Sequence, residues 1–197
     1  MYPKDLLKLI HYLKKLSGVG AKTAERFAFE LIKYSDFELD DLGDLFKDLK
    51  KNIVHCSVCG CLIAENICKF CDSNLRDSKK ICIVSSFRDV FLLEKTKTYN
   101  GFYHILETLI SPIEGKEIDE ENIIRLKKRI ENFSISEVII ALDSTIEGDA
   151  TSLYIKEELL DYKVNVSRLA FGLPMGTSLD YIDGVTLSQA FVGRQSF

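Results

Sequence analysis

Four cysteines constrain this chain more than any other feature. Cys56-Ser-Val-Cys59 is followed, after eight residues, by Cys68-Lys-Phe-Cys71. Two CxxC knuckles offer four soft thiolates, and such a set suits tetrahedral zinc. It also leaves no open coordination position. The metal, one zinc ion (Zn2+) per chain, would therefore be structural, holding together a stretch too small to build its own core. Gly60 directly after Cys59 tolerates the backbone angles that a knuckle turn needs. Two substitutions stay open: Cys61 could replace Cys59, and His55 could replace Cys56. A cluster of reduced or redox-active thiols is the plainer alternative. Six cysteines in 197 residues are too sparse for a disulfide scaffold. The sixth, Cys82, lies in an apolar run and reads as a buried core thiol.

Hydrophobic periodicity orders the rest. Leu6, Leu9, Ile10 and Leu13 form one stripe of a helix over 4–16. Gly18 and Gly20 stop it, and a second helix runs from about Ala21 to Tyr34 with Ala24, Phe27, Ala28 and Leu31 on its apolar face. The acidic stretch 35–49 reads as a third, amphipathic helix. After Lys80 the pattern changes. Strands at Ile81–Ser85, Tyr103–Leu106, Val138–Leu142 and Val164–Leu169 alternate with helices at Phe87–Lys95, Glu120–Phe133 and Ala150–Tyr162. That alternation argues for βαβ units and a mostly parallel sheet. From Gly172 onward the glycines predict loops with one short helix. The fold class is thus α+β and multidomain: a helical N-terminal domain, a metal loop, an α/β domain with a mostly parallel sheet, and a Gly-rich tail. With 46% hydrophobic and 28% charged residues, disordered and low-complexity classes are excluded. No apolar run approaches a membrane span, and charges interrupt the first apolar segment, so a cytoplasmic protein without membrane contact is expected.

Charge is unevenly spread. Residues 1–34 carry seven Lys and Arg against three carboxylates, so this head is +4 in a chain of −4 and the remainder carries −8. The head also holds Gly18-Val19-Gly20 between two helices. A helix that stops at a Gly-hydrophobic-Gly bend and restarts at once leaves backbone N–H groups free at a positive helix end, and such groups bind anions. Lys22 and Arg26 share a face of the second helix and would add phosphate contacts. The bland reading is a tight turn with solvated lysines. Neither a dinucleotide fingerprint nor a P-loop fits: no strand precedes the glycines, and the glycine is not adjacent to the lysine. The bend resembles a helix-hairpin-helix motif, which grips nucleic-acid backbone without reading sequence.

In the second half, Ile81 to Val90 and Val138 to Asp149 together resemble a Toprim domain. Active Toprim proteins carry a Glu at the end of the first strand and an Asp-x-Asp pair after a later one, which hold Mg2+ for phosphoryl chemistry. Here Ser85 or Ser86 stands at the Glu position. Asp143 is present, Thr145 replaces its partner, and Glu147 and Asp149 are nearby. A serine brings no negative charge to a hard cation, so Mg2+ affinity should be poor. The remaining acids could equally be solvated surface groups.

Helix-hairpin-helix, four-cysteine loop, Toprim and Gly-rich tail, in that order, resemble the RecR family of bacterial recombination mediators over essentially the whole chain. The stretches Leu16–Glu30, Cys56–Cys71, Arg88-Asp89-Val90, Phe91–Pro112, Glu147–Thr151, Gly172-Leu-Pro174 and Val185–Arg194 carry the likeness. The resemblance implies a helix-hairpin-helix DNA-binding domain at 1–53, a C4 zinc finger at 54–74, a Toprim domain at 79–174 and an assembly segment at 175–197. It implies a DNA-repair scaffold that is not an enzyme, a homotetrameric ring acting with RecO and RecF to load RecA on single strands. Gly18, Val19, Gly20, Lys22 and Arg26 would face DNA, and Asp143, Glu147 and Asp149 would face protein partners. A Mg-dependent Toprim nuclease or primase-like enzyme is the alternative. Ser85 and Ser86 depart from the acidic residues frequent in the family, and Ser17 from a frequent proline.

Overall fold

The computed structural model describes residues 2–64, 67–170 and 172–194. The expected metal loop and tail therefore each include a few positions outside the described residues. Contacts divide the chain into two compact units, Met1–Asn52 and Ile53–Phe197.

The first unit is helical throughout. Helix α1 spans Lys4–Leu13, α2 Ala21–Leu31 and α3 Asp36–Asn52. The first two end three residues before the ends expected at 16 and Tyr34, on the last residues of their apolar stripes. Leu16 N–H bonds Leu13 C=O and Tyr34 N–H bonds Leu31 C=O, so each last turn tightens to i→i−3 bonding. A reciprocal pair starts α3: Glu38 accepts from the Ser35 amide at 2.8 Å and Ser35 Oγ accepts from the Glu38 amide at 3.3 Å. Tyr2 packs edge-on against Phe29, with ring centroids 5.7 Å apart, and bonds Glu25. Among the described residues of this unit only Ala24 and Ala28 are buried.

In the second unit a two-stranded antiparallel hairpin, β1 (Val54–His55) with β2 (Leu62–Ile63), comes first. Then follow β3 (Asp77–Val84), α4 (Phe87–Thr96), β4 (Gly101–Ile105), α5 (Glu120–Phe133), β5 (Glu137–Ala141), α6 (Ile146–Glu158) and β6 (Asn165–Arg168). The four long strands pair in parallel in the order β4-β3-β5-β6. Since β4 lies on one side of β3 and β5 on the other, the chain reverses direction across the sheet at the carboxyl end of β3. Open α/β sheets place their sites at such a point.

Strand alternation splits the core. Ile81, Ile83 and Phe102 join one cluster with Leu126, Ile130, Val138 and Ile155; Cys82, Val84, Tyr103 and Ile105 join the other with Val90 and the cysteines of the loop. Two differences from expectation have local causes. Strand β3 extends back to Asp77 because the Asp77 amide bonds Asn100 C=O. Helix α6 begins at Ile146, not Ala150, because Thr145 Oγ1 accepts from the Gly148 amide at 3.1 Å and caps it. Gly148 is required there, since a Cβ would collide with the Asp143 carbonyl oxygen. A 3-10 turn at Leu179–Tyr181 and α7 (Gly184–Val192) complete the tail. Among the described residues, no helix is long and apolar enough to cross a membrane.

Candidate functional site

Backbone bonds close the first knuckle on itself. Cys56 N–H donates to Cys61 C=O at 2.8 Å, and Gly60 N–H donates to Cys56 C=O at 2.8 Å. Gly60 takes φ +81°, in the left-handed region, and a Cβ there would press on Ile105. The turn brings the sulfurs of Cys56, Cys59, Cys68 and Cys71 within 4.8 Å of one another, a group that could hold a metal ion. Cys59 Sγ lies 3.5 Å from Cys68 Sγ, and Cys56 Sγ 3.9 Å from Cys71 Sγ. Metal–sulfur bonds of about 2.3 Å in a tetrahedron have edges of about 3.8 Å, so the spacing fits the donor set. Cys61 and His55 stand outside this group. His55 Nδ1 instead meets the Gly60 carbonyl at 3.0 Å, and burial pushes the Cys61 thiol up to about 11. Within the cluster, hydrogen bonds from Cys59, Cys68 and Cys71 hold the Cys56 thiol far below its ordinary range, and the same sharing raises Cys59 and Cys71. Cys82, in β3, is buried and pushed up to about 12 by that burial.

The loop docks on the outer edge of β4. Ile105 N–H donates to Cys59 C=O at 2.9 Å, so the knuckle completes the bonding of an edge strand. Two arginines hold the same joint, and the sequence pattern singles out neither. Arg76 forks onto Glu94 at 2.5 and 2.9 Å, bonds Lys69 and Gly101 carbonyls, and stacks 5.0 Å from the Phe70 ring. Arg129, on α5, donates to Tyr103 C=O at 2.6 Å and reaches Cys71 Sγ at 4.0 Å.

In the first unit, Gly18 has φ +80° and nothing lies within 4 Å of where its Cβ would be. Gly20 is the N-cap of α2. No side chain caps this end, and no carboxylate lies in its first turn. Gly18, Gly20, Lys22 and Arg26 are exposed and Val19 is half-buried. Neither Lys22 nor Arg26 belongs to an ion pair among the described residues, whereas Lys33 pairs with Glu30 and Lys8 with Asp5. The bend thus presents uncapped amides and, on one surface, two cations outside any ion pair among the described residues, Arg26 lying 5.6 Å from the Phe27 ring centre.

At the carboxyl end of β3, Ser85 and Ser86 are committed to local structure. Asp89 accepts from Ser85 Oγ at 2.8 Å, Ser86 N–H at 2.8 Å and Ser86 Oγ at 2.9 Å, which caps α4. Asp143 is exposed after β5, while Glu147 and Asp149 lie in the first turn of α6, where the helix dipole favours acids. Asp149 pairs with Arg168 at 2.6 Å. Asp143, Glu147 and Asp149 do not converge as the sulfurs do: among the described residues, the cysteine cluster alone gathers three or more His, Cys, Asp or Glu ligand atoms. Nearby Glu107 takes φ +65° and donates its amide to Ser85 C=O at 3.2 Å.

Comparisons with known proteins cover most of the chain. Residues 6–48 match the family described as RecR, helix-hairpin-helix; residues 79–170 match the Toprim domain; residues 172–195 match RecR, C-terminal. The chain is 53% identical over 196 residues to Recombination protein RecR of Protochlamydia amoebophila (strain UWE25), covering 100% of this chain and 99% of the relative. It is 48% identical to the protein of that name from Chlamydia pneumoniae and 44% identical to that of Chlamydia trachomatis serovar D, each over 198 residues, 100% of this chain and 98% of the relative.

Proposed function

Because this chain belongs to the RecR family of recombination proteins, we propose that it is a DNA-binding mediator of recombinational repair that works as a scaffold and not as an enzyme. One observation carries the reading: the uncapped, exposed start of α2, flanked by Lys22 and Arg26, which make no ion pair among the described residues. Backbone amides at a glycine bend approach a phosphate closely, and two guanidinium or ammonium groups on one face add charge without sequence preference. Gly18, Val19, Gly20, Lys22 and Arg26 form this grip. One such contact is weak at physiological salt, and a ring of copies multiplies it by effective concentration.

A tetrameric ring acting with RecO and RecF to load RecA extends the proposal. Large exposed apolar side chains support self-assembly: Phe37 and Phe46 in α3, Tyr181, Val185 and Phe191 in the tail. Asp143, Glu147 and Asp149 form the partner-facing surface, with Asp149 already steadied by Arg168. Cys56, Cys59, Cys68 and Cys71 hold one structural zinc, whose role is to fold the loop onto β4. The cytosol is the expected compartment. The reading without catalysis is supported by Ser85 and Ser86, whose hydroxyls are spent on Asp89 at the place where a Toprim enzyme needs a carboxylate.

Reversal of Lys22 and Arg26 to Glu tests the reading. The double variant should fold normally yet lose retention of single-stranded and duplex DNA in a gel shift at low salt. Light scattering with and without DNA, at two salt concentrations, reads assembly alongside. Undiminished retention rejects the grip. Mg2+-dependent cleavage or polymerisation that vanishes in Asp143→Ala would instead establish the enzyme.

A further inference from the structure

Arg129 is 4% exposed, inside the sheet-and-helix layer of the second unit. Arginine is almost never buried so deeply without an anion, since stripping water from a fixed charge is costly unless an opposite charge offsets it. Yet none of the ion pairs among the described residues includes it, and no carboxylate lies within 4 Å. Its neighbours are neutral or sulfur. Nη1 donates to Tyr103 C=O at 2.6 Å and lies 3.4 Å from His104 Nδ1; the guanidinium sits 5.5 Å from the Phe102 ring centre; Nη2 is 4.0 Å from Cys71 Sγ; Nε has no partner and no access to water. The imidazole offers no charge, because burial, with Arg129 beside it, pulls His104 down to about 3.

The one source of negative charge on this list is the cysteine cluster. Four neutral thiols would leave the guanidinium alone in an apolar layer. Four thiolates around a divalent ion carry a net double negative charge, and an adjoining buried cation then both gains and gives stability. We infer that Arg129 is the counter-ion of the metal centre, so that metal occupancy governs how α5 packs on β4 as well as how the loop folds. The inference rests on the reading of Cys56, Cys59, Cys68 and Cys71 as metal ligands.

The connectivity makes the coupling mechanical as well as electrostatic. The outer edge of β4 is held at neighbouring places by two groups: the knuckle carbonyl of Cys59 takes the Ile105 amide, and Arg129 caps the Tyr103 carbonyl. Metal loss releases the first directly. It releases the second by removing the charge that keeps Arg129 inside.

Zinc release from the full-length chain tests this, followed with a chromogenic chelator after metal analysis of the purified protein. Arg129→Met, which keeps the bulk and loses the charge, should release zinc about 10- to 100-fold faster than wild type. Arg129→Lys should restore slow release. Ile130→Val, a core change on the same helix, should lower the melting temperature and leave the release rate alone. Should Arg129→Met not fold, Arg129→Gln replaces it with the same expectation. Release at the wild-type rate from the uncharged variant overturns the inference, and so does equally fast release from Ile130→Val. Wild-type protein purified with zinc in the medium but binding none overturns the metal reading itself and this inference with it.

Discussion

The two units, Met1–Asn52 and Ile53–Phe197, solve opposite problems. The N-terminal helices carry good amphipathic stripes yet bury only Ala24 and Ala28 among the described residues, leaving Phe37 at 81% and Phe46 at 69% exposure. The second unit buries β4 and the carboxyl half of β3 on both faces and packs the cysteine loop into one of its two clusters. The first unit puts its chemistry on the outside: bare amides and exposed cations. The second puts its chemistry inside: thiols, a guanidinium, an imidazole. A surface grip can be changed without loss of fold, whereas an internal centre cannot.

The sharpest way to break this contrast is Cys68→Ser. Loss of one ligand should abolish zinc retention and destabilise the second unit by several kcal/mol, read as early loss of near-ultraviolet signal. Full retention of one zinc would contradict the ligand assignment. Next in size is charge on the first unit. Lys22→Ala should weaken DNA binding and lower the slope of log affinity against log salt by about 1, with no shift in melting temperature. A drop in stability of the same order would mean that the bend is structural after all. A smaller effect concerns His104, whose Nε2 meets Asn122 Oδ1 at 2.6 Å. Its folded value of about 3 lies below the unfolded value of about 6.5. The unfolded chain therefore takes up the proton first, and stability that is complete above pH 6.5 is lost as pH falls towards 3. The slope is up to about 1.4 kcal/mol per pH unit. His104→Gln should flatten the pH dependence of urea midpoints between pH 6.5 and 5, and an unchanged slope would assign it to other groups. The smallest effect is Glu107→Gly, which should raise stability by about 1 kcal/mol because the position is left-handed. No gain in the urea midpoint would show that Glu107 makes a compensating contact.

The elements were legible where period and punctuation agree. Glu120–Phe133 reads from its apolar side alone, and the observed α5 has those bounds. The parallel sheet follows from alternation of strands and helices, and the sulfur cluster from CxxC spacing. What the pattern hides are features made by long-range partners. The start of α6 depends on Thr145 acting as a cap, which a run of acids disguises. Short β1 and β2 carry no period of their own. Arg129 meets Cys71 across 58 positions, and no local signal distinguishes it from Arg125 or Lys128 on the same helix. Ser85 and Ser86 announce a missing acid in sequence, and only the structure gives them a task, the binding of Asp89.

The sealing of β4 has one more consequence. On its outer edge the Ile105 amide is taken by the knuckle and the Tyr103 carbonyl by Arg129, while among the described residues β6 pairs with β5 alone. The folded sheet therefore has a single flank on which a foreign strand can add. Unseating the knuckle would bare the other flank, and the sheet would then become a template for aggregation in both directions.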